Sequence, residues 1–185
     1  MERQEEIDLR YLRICREYSL LSRCCSRQVG ALLVLPDYTP ICMGVNGPPR
    51  GVPHCGELSY CPKCNSVDRG FDCGCGVDLE RLDGRCPRAL LGSTGGPTLF
   101  QCPAVHAEEN AILTCARTHN PTRDCSMYIY PIGPCKDCVA SIIQAGVREL
   151  IYPEGEPYDE LSGWMLSHSG ITIRCYPLEK VHTDF

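Results

Sequence analysis

Two short runs, His106-Ala-Glu108 and Pro134-Cys135-Lys-Asp-Cys138, constrain this chain more than anything else in it. One imidazole and two thiols are donors that suit a borderline-soft cation. Three such ligands leave the fourth tetrahedral position open to water, as a catalytic rather than a structural zinc requires. Both runs look like helix starts. Proline suits the first turn of a helix, and cysteines that follow it lie near the helix's positive end, where a thiolate is favoured. Glu108, two residues beyond His106, can face a metal-bound water without ligating the metal, take its proton and pass it on. Taken singly the runs have ordinary explanations: a His-Ala-Glu in a helix is usually surface, and a Cys-x-x-Cys is usually a structural zinc half-site or a redox pair. Their occurrence together favours one catalytic centre, so the fold has to bring them face to face.

Composition bounds the rest. A chain of 185 residues suits one domain with a decorated loop or two. The net charge of −5 is spread without basic runs, which argues against nucleic acid as the main partner, because a phosphate footprint needs clustered Lys and Arg. The sixteen cysteines could mean a secreted disulfide scaffold. The opening Met-Glu-Arg-Gln-Glu-Glu has no apolar signal core, however, and no segment approaches the roughly 20 apolar residues of a membrane span. A cytoplasmic chain that uses its close cysteine pairs for metal is therefore expected.

Periodicity supplies the elements. Ile7, Tyr11, Ile14, Tyr18 and Leu21 form an apolar stripe that predicts a helix from about Glu2 to Leu21. The run Val29–Leu35 reads as a strand buried on both faces, and Pro40–Val45 as its hairpin partner. Helices are expected at Ala107–Arg117, with Ala111, Ile112 and Cys115 inward, at Lys136–Ala145, stopped by Gly146, and at Tyr158–Ser169. Strands are expected at Ser126–Tyr130, Val147–Tyr152 and Ile171–Tyr176. This order predicts an α/β fold, a largely parallel sheet covered by helices on both faces, with His106 and Cys135 meeting where helix N-termini cluster at one edge. Cys15, Cys42, Cys115, Cys125 and Cys175 are read as small core residues.

Beyond the metal runs, Cys24–Ala31, Gly44–Gly51, Cys102–Ile112 and Cys138–Tyr152 resemble the blocks of the cytidine deaminase superfamily, and within it the deoxycytidylate deaminases of phages and bacteria, in the same order. The resemblance implies a single three-layer α/β/α deaminase domain over 1–185 and hydrolysis of dCMP to dUMP with release of ammonia. It implies that His106, Cys135 and Cys138 hold the catalytic zinc, that Glu108 is the proton shuttle, and that Asn46, Ser26 and Arg27 contact the nucleotide. Asn46-Gly47 is also a good turn, and an exposed arginine is usually just solvated. There are departures. Gly44-Val45-Asn46-Gly47 lacks the tyrosine that accompanies dCTP and dTTP feedback in relatives, and Ile129–Pro134 is one residue longer than in them. A modified deoxycytidylate or a triphosphate is the alternative substrate.

Between about residues 47 and 102 the chain loses periodicity and gains Gly, Pro and Cys. A loop of that length needs a staple. The resemblance implies a non-catalytic zinc like that of phage relatives, on a cysteine matching Cys24 and another near Cys55. Cys24, Cys55, Cys86 and Cys102 make one natural tetrahedral set, with His54 able to replace any of them; Cys61, Cys64, Cys73 and Cys75 make a possible second. One or two structural zincs are expected beside the catalytic one. A homo-oligomer with a small nucleotide substrate is expected. The rivals are a tRNA, nucleoside or free-base deaminase, an inactive zinc-stabilised binding module, and a protein whose cysteine insert docks a partner.

Overall fold

The structure is a computed structural model that describes residues 2–52, 54, 86, 102–155 and 157–183. It divides into two compact units. The first comprises Met1–Ser22, Gln28–Asn46 and His106–Phe185, the second Arg23–Arg27 and Gly47–Val105.

In the first unit, helix α1 (Glu2–Ser19) is followed by strands β1 (Gly30–Val34) and β2 (Pro40–Val45). After the insert come α2 (Ala107–Thr118), β3 (Ser126–Tyr130), α3 (Lys136–Gln144), β4 (Glu149–Pro153), α4 (Glu160–Ser169), β5 (Thr172–Tyr176) and a short α5 (Leu178–His182). The described strands form one sheet in the order β2-β1-β3-β4-β5. Alternation along β1 shows how the layers arise, since successive side chains of a strand point to opposite faces. Ala31 and Leu33 join Met127, Ile129 and Leu150 in a core with Ala107, Ala111, Cys115, Val139, Ile142 and Leu166 from α2, α3 and α4. Leu32 and Val34 join Tyr128 and Ile151 beneath Leu9, Leu12 and Cys15 of α1 and Val181 of α5. This is the three-layer α/β/α arrangement that the sequence implies. Among the described residues no helix is long and apolar enough to cross a membrane.

Three expectations need correction. The sheet is mixed rather than largely parallel, because β1 runs antiparallel to both neighbours and only the β3–β4 and β4–β5 pairs are parallel. The hairpin fixes β1 against β2, and β3 then fills the other side of β1 running in the same direction as β2. The buried stripe of α1 is Asp8, Leu9, Leu12, Cys15 and Ser19, not the Ile7–Leu21 series, whose Ile14 and Leu21 are exposed. A buried ion pair on Asp8 and a flush contact at Gly30 set this rotation; a Cβ at Gly30 would lie 2.3 Å from the Cys15 carbonyl oxygen. Finally, α1 stops at Ser19 and α4 starts at Glu160 rather than Tyr158. Cys15, Cys42, Cys115 and Cys125 are buried as expected, while Cys175 on edge strand β5 is only partly so.

Candidate active site

The strand directions decide where the two metal-binding runs arrive. β2 and β3 flank β1 and point the same way, so the chain leaves both at one edge of the sheet, the carboxyl edge where α/β proteins place their sites. His106 is the N-cap residue of α2 and Cys135 that of α3. Both have extended backbone, with φ −73° at each, and neither side chain caps its own helix. Each is turned to its neighbours instead. Pro134 stands one residue ahead of the α3 N-cap rather than inside the first turn, and the loop that carries it lies on the Tyr152 ring, which a Cβ at Gly133 would meet at 2.9 Å.

Two residues seat α2. Asn110 donates from Nδ2 to the Val45 carbonyl at 2.7 Å, tying the first turn of α2 to β2. At Gly44 of β2, a Cβ would lie 2.2 Å from the Ala107 carbonyl oxygen and 2.4 Å from the Ala111 nitrogen. Neither residue is assigned a role by sequence reasoning. The signal available is a glycine inside an apolar strand, which marks a close backbone approach.

His106, Cys135 and Cys138 converge. His106 Nδ1 lies 3.2 Å from Cys138 Sγ and 3.4 Å from Cys135 Sγ, and the three ligand atoms lie within 4.8 Å of one another. Tetrahedral zinc with ordinary Zn–N and Zn–S bonds separates its ligands by roughly 3.5–3.8 Å, so this donor set fits that ion with small adjustments. Electrostatics agree. The Cys138 thiol and the His106 ring draw Cys135 down to about 4, despite burial that opposes the charge. Its partner Cys138, hydrogen-bonded to that sulfur and buried, is pushed up. A cation bound here would displace the thiol protons. Glu108 lies beside Cys138, is 4 % exposed, and has its carboxyl raised by burial.

The remaining expected site residues have varied places. Asn46 is buried in the first unit; its Oδ1 accepts from Ser22 Oγ at 2.7 Å and from the Val29 N–H at 2.8 Å, so it ties the end of β2 to the residues that lead into β1. Ser26 and Arg27 belong to the second unit and are exposed. In that unit His54, Cys24, Cys86 and Cys102 are each partly buried, and Gly47 pairs with Val105 in an isolated antiparallel bridge. Among the described residues none of these four joins a convergent trio of ligand atoms. Cys55, Cys61, Cys64, Cys73 and Cys75 lie outside the described residues.

Comparison with known proteins gives a consistent result. The family model for the cytidine and deoxycytidylate deaminase zinc-binding region matches residues 5–154. A deoxycytidylate deaminase of Schizosaccharomyces pombe is 30% identical over 155 residues, 84% of this chain and 39% of that protein. This chain thus spans about two fifths of the fungal relative's length. The deoxycytidylate deaminase of Enterobacteria phage T4 is 31% identical over 181 residues, covering 92% of this chain and 90% of the phage protein. Among solved structures, a dCMP deaminase of cyanophage S-TIM5 in complex with dCMP and dUMP superposes with a TM-score of 0.62 at 22% identity, over 92% of this chain and 96% of the other.

Proposed function

This chain belongs to the cytidine and deoxycytidylate deaminase zinc-binding family, and from that premise we propose that it hydrolyses dCMP to dUMP and ammonia. The observation that supports the reading best is the convergence of His106, Cys135 and Cys138 beside the buried carboxylate of Glu108. His106 Nδ1 and the two sulfurs would hold the metal. A zinc held there would act as a Lewis acid, lowering the pKa of water toward neutrality.

The chain's own residues do the rest. Glu108 takes a proton from the attacking water and delivers it to the ring nitrogen beside the reacting carbon. It then carries a second proton to the exocyclic amine as the C–N bond breaks and ammonia leaves. Burial raises the Glu108 carboxyl above its ordinary value, the direction that helps it hold the proton taken from water until it is delivered. Asn110 and Gly44 keep the first turn of α2, and with it Glu108, seated on β2. Asn46, Ser26 and Arg27 are the proposed nucleotide contacts, with Arg27 offered to the phosphate.

The finer readings go with the same proposal. The enzyme is a cytoplasmic homo-oligomer, one deaminase domain over its whole length, whose insert carries one or two structural zincs on cysteines from Cys24, Cys55, Cys86 and Cys102 and from Cys61, Cys64, Cys73 and Cys75, with His54 as a possible substitute. Ammonia release from dCMP, dCTP, 5-substituted deoxycytidylates, cytidine and an adenosine-bearing anticodon stem-loop separates the substrate classes. Preference for dCMP is expected; turnover confined to the stem-loop or the nucleoside would overturn the assignment.

A further inference from the structure

Cys135 occupies the N-cap of α3 yet contributes no cap, because its sulfur is turned toward His106 and Cys138. The first N–H groups of a helix need acceptors, and the N-cap side chain is the usual source. Here the acceptor comes from another helix. Asp159 is the N-cap of α4, where its Oδ1 accepts from the Ser162 N–H at 2.7 Å in a capping box completed by Ser162 Oγ. Its second oxygen, Oδ2, accepts from the N–H of Lys136, the first residue of α3, at 3.1 Å. One carboxylate thus serves the positive ends of two helices, and one of those ends presents both thiols.

We propose that Asp159 is a positioning residue for the metal centre: through the Lys136 N–H it anchors the first turn of α3, from which Cys135 and Cys138 project, at an angle that lets both sulfurs reach the ion held with His106. The inference rests on the reading of His106, Cys135 and Cys138 as metal ligands. The cap that metal ligation removes from α3 is returned by a residue on the next crossover, so the packing of α4 on α3 and the geometry of the thiols are coupled. Partners of this outer kind typically change metal affinity by roughly 10- to 100-fold.

Two variants separate this role from ordinary helix capping. In Asp159→Asn the amide oxygen can keep the Ser162 N–H, since asparagine is a good N-cap, but the amide NH2 then faces the Lys136 N–H and that bond is lost. Ser162→Ala weakens the capping box and leaves the Lys136 bond in place. Metal-depleted full-length protein is titrated with Co2+, following the thiolate-to-cobalt charge-transfer band; the part of the band that His106→Ala removes reports this site alone. The expected result is cobalt affinity about tenfold weaker in Asp159→Asn with little change in Tm, and wild-type affinity with a lowered Tm in Ser162→Ala. Wild-type affinity in Asp159→Asn, or equal losses of affinity in the two variants, would overturn the positioning role while leaving the metal centre intact. A wild-type band that His106→Ala leaves unchanged would remove the centre itself and the positioning role with it.

Discussion

On the mechanism proposed above, Glu108 is the group on which turnover would depend most. Glu108→Gln keeps the volume and removes the proton carrier, and general acid–base catalysis contributes about 10²–10⁴-fold, so kcat should fall by at least about 100-fold with the metal still bound; steady-state ammonia release together with metal analysis checks it. Arg27→Ala should raise KM for dCMP far more than for deoxycytidine, because only the nucleotide offers a phosphate to the lost guanidinium; comparison of the two substrates checks the assignment. Gly44→Ala forces a methyl onto the Ala107 carbonyl and the Ala111 nitrogen. It should cost about 1–3 kcal/mol and displace α2, seen as a lower Tm and reduced turnover together. The convergence of His106, Cys135 and Cys138 was legible in the sequence because the residue types and short spacings are local: His106 with Glu108, Cys135 with Cys138. Asn110 and Asp159 were not, since their partners, Val45 and Lys136, are backbone groups distant in the chain, and no spacing rule points to such a pair.

Helix α1 shows what pattern reading misses among the elements. Its apolar spacing suggested a face through Ile14 and Leu21, but the helix instead buries Asp8, which accepts from Tyr128 at 2.8 Å, Tyr176 at 2.7 Å and Arg174 Nε at 2.6 Å. A buried carboxylate is tolerable when paired and fully hydrogen-bonded. The three partners lie on β3 and β5, so only the folded sheet assembles them, and an apolar count along the helix does not register the pairing. Asp8→Ala should cost about 3 kcal/mol by leaving Arg174 without its closest partner, measurable as a shift in the urea midpoint. Glu149 extends the network, with Arg174 at 3.2 Å and Ser126 at 2.6 Å. Burial alone would raise its carboxyl, but these bonds prevail and hold it below the ordinary 4.5. A depressed folded value means that Glu149 stabilises the fold above its unfolded pKa and loses that contribution as pH falls through the folded one. Wild-type Tm should therefore drop more steeply than that of Glu149→Gln on acidification below about pH 4.5. The hairpin, the crossovers and the Gly146 stop, at φ +74°, were readable from local signals. The direction of β3 beside β1 was not, because strand neighbours are a property of the sheet.

The molecule as a whole is a three-layer core with a cysteine-rich insertion, and metal is proposed to serve the two parts differently. At the core the ion would complete a site whose donors packing already brings together from α2 and α3. In the insert, periodicity is absent and thiols are abundant, so metal would supply the folding free energy itself. Metal analysis of freshly purified protein should accordingly give two or three zincs per chain, and mild chelation should expose the insert to protease before the core unfolds, with limited proteolysis as the readout. One zinc per chain would remove the structural sites and leave the catalytic one. In the proposed reaction Glu108 works beside a zinc on His106, Cys135 and Cys138 to deaminate dCMP. The most direct measurement is conversion of dCMP to dUMP by wild type and Glu108→Gln at matched, measured zinc content. Turnover by the wild type and at least about a 100-fold loss in the zinc-replete variant is expected; an inert zinc-replete wild type would exclude the dCMP reaction, and a variant as active as the wild type would exclude Glu108 as its proton shuttle.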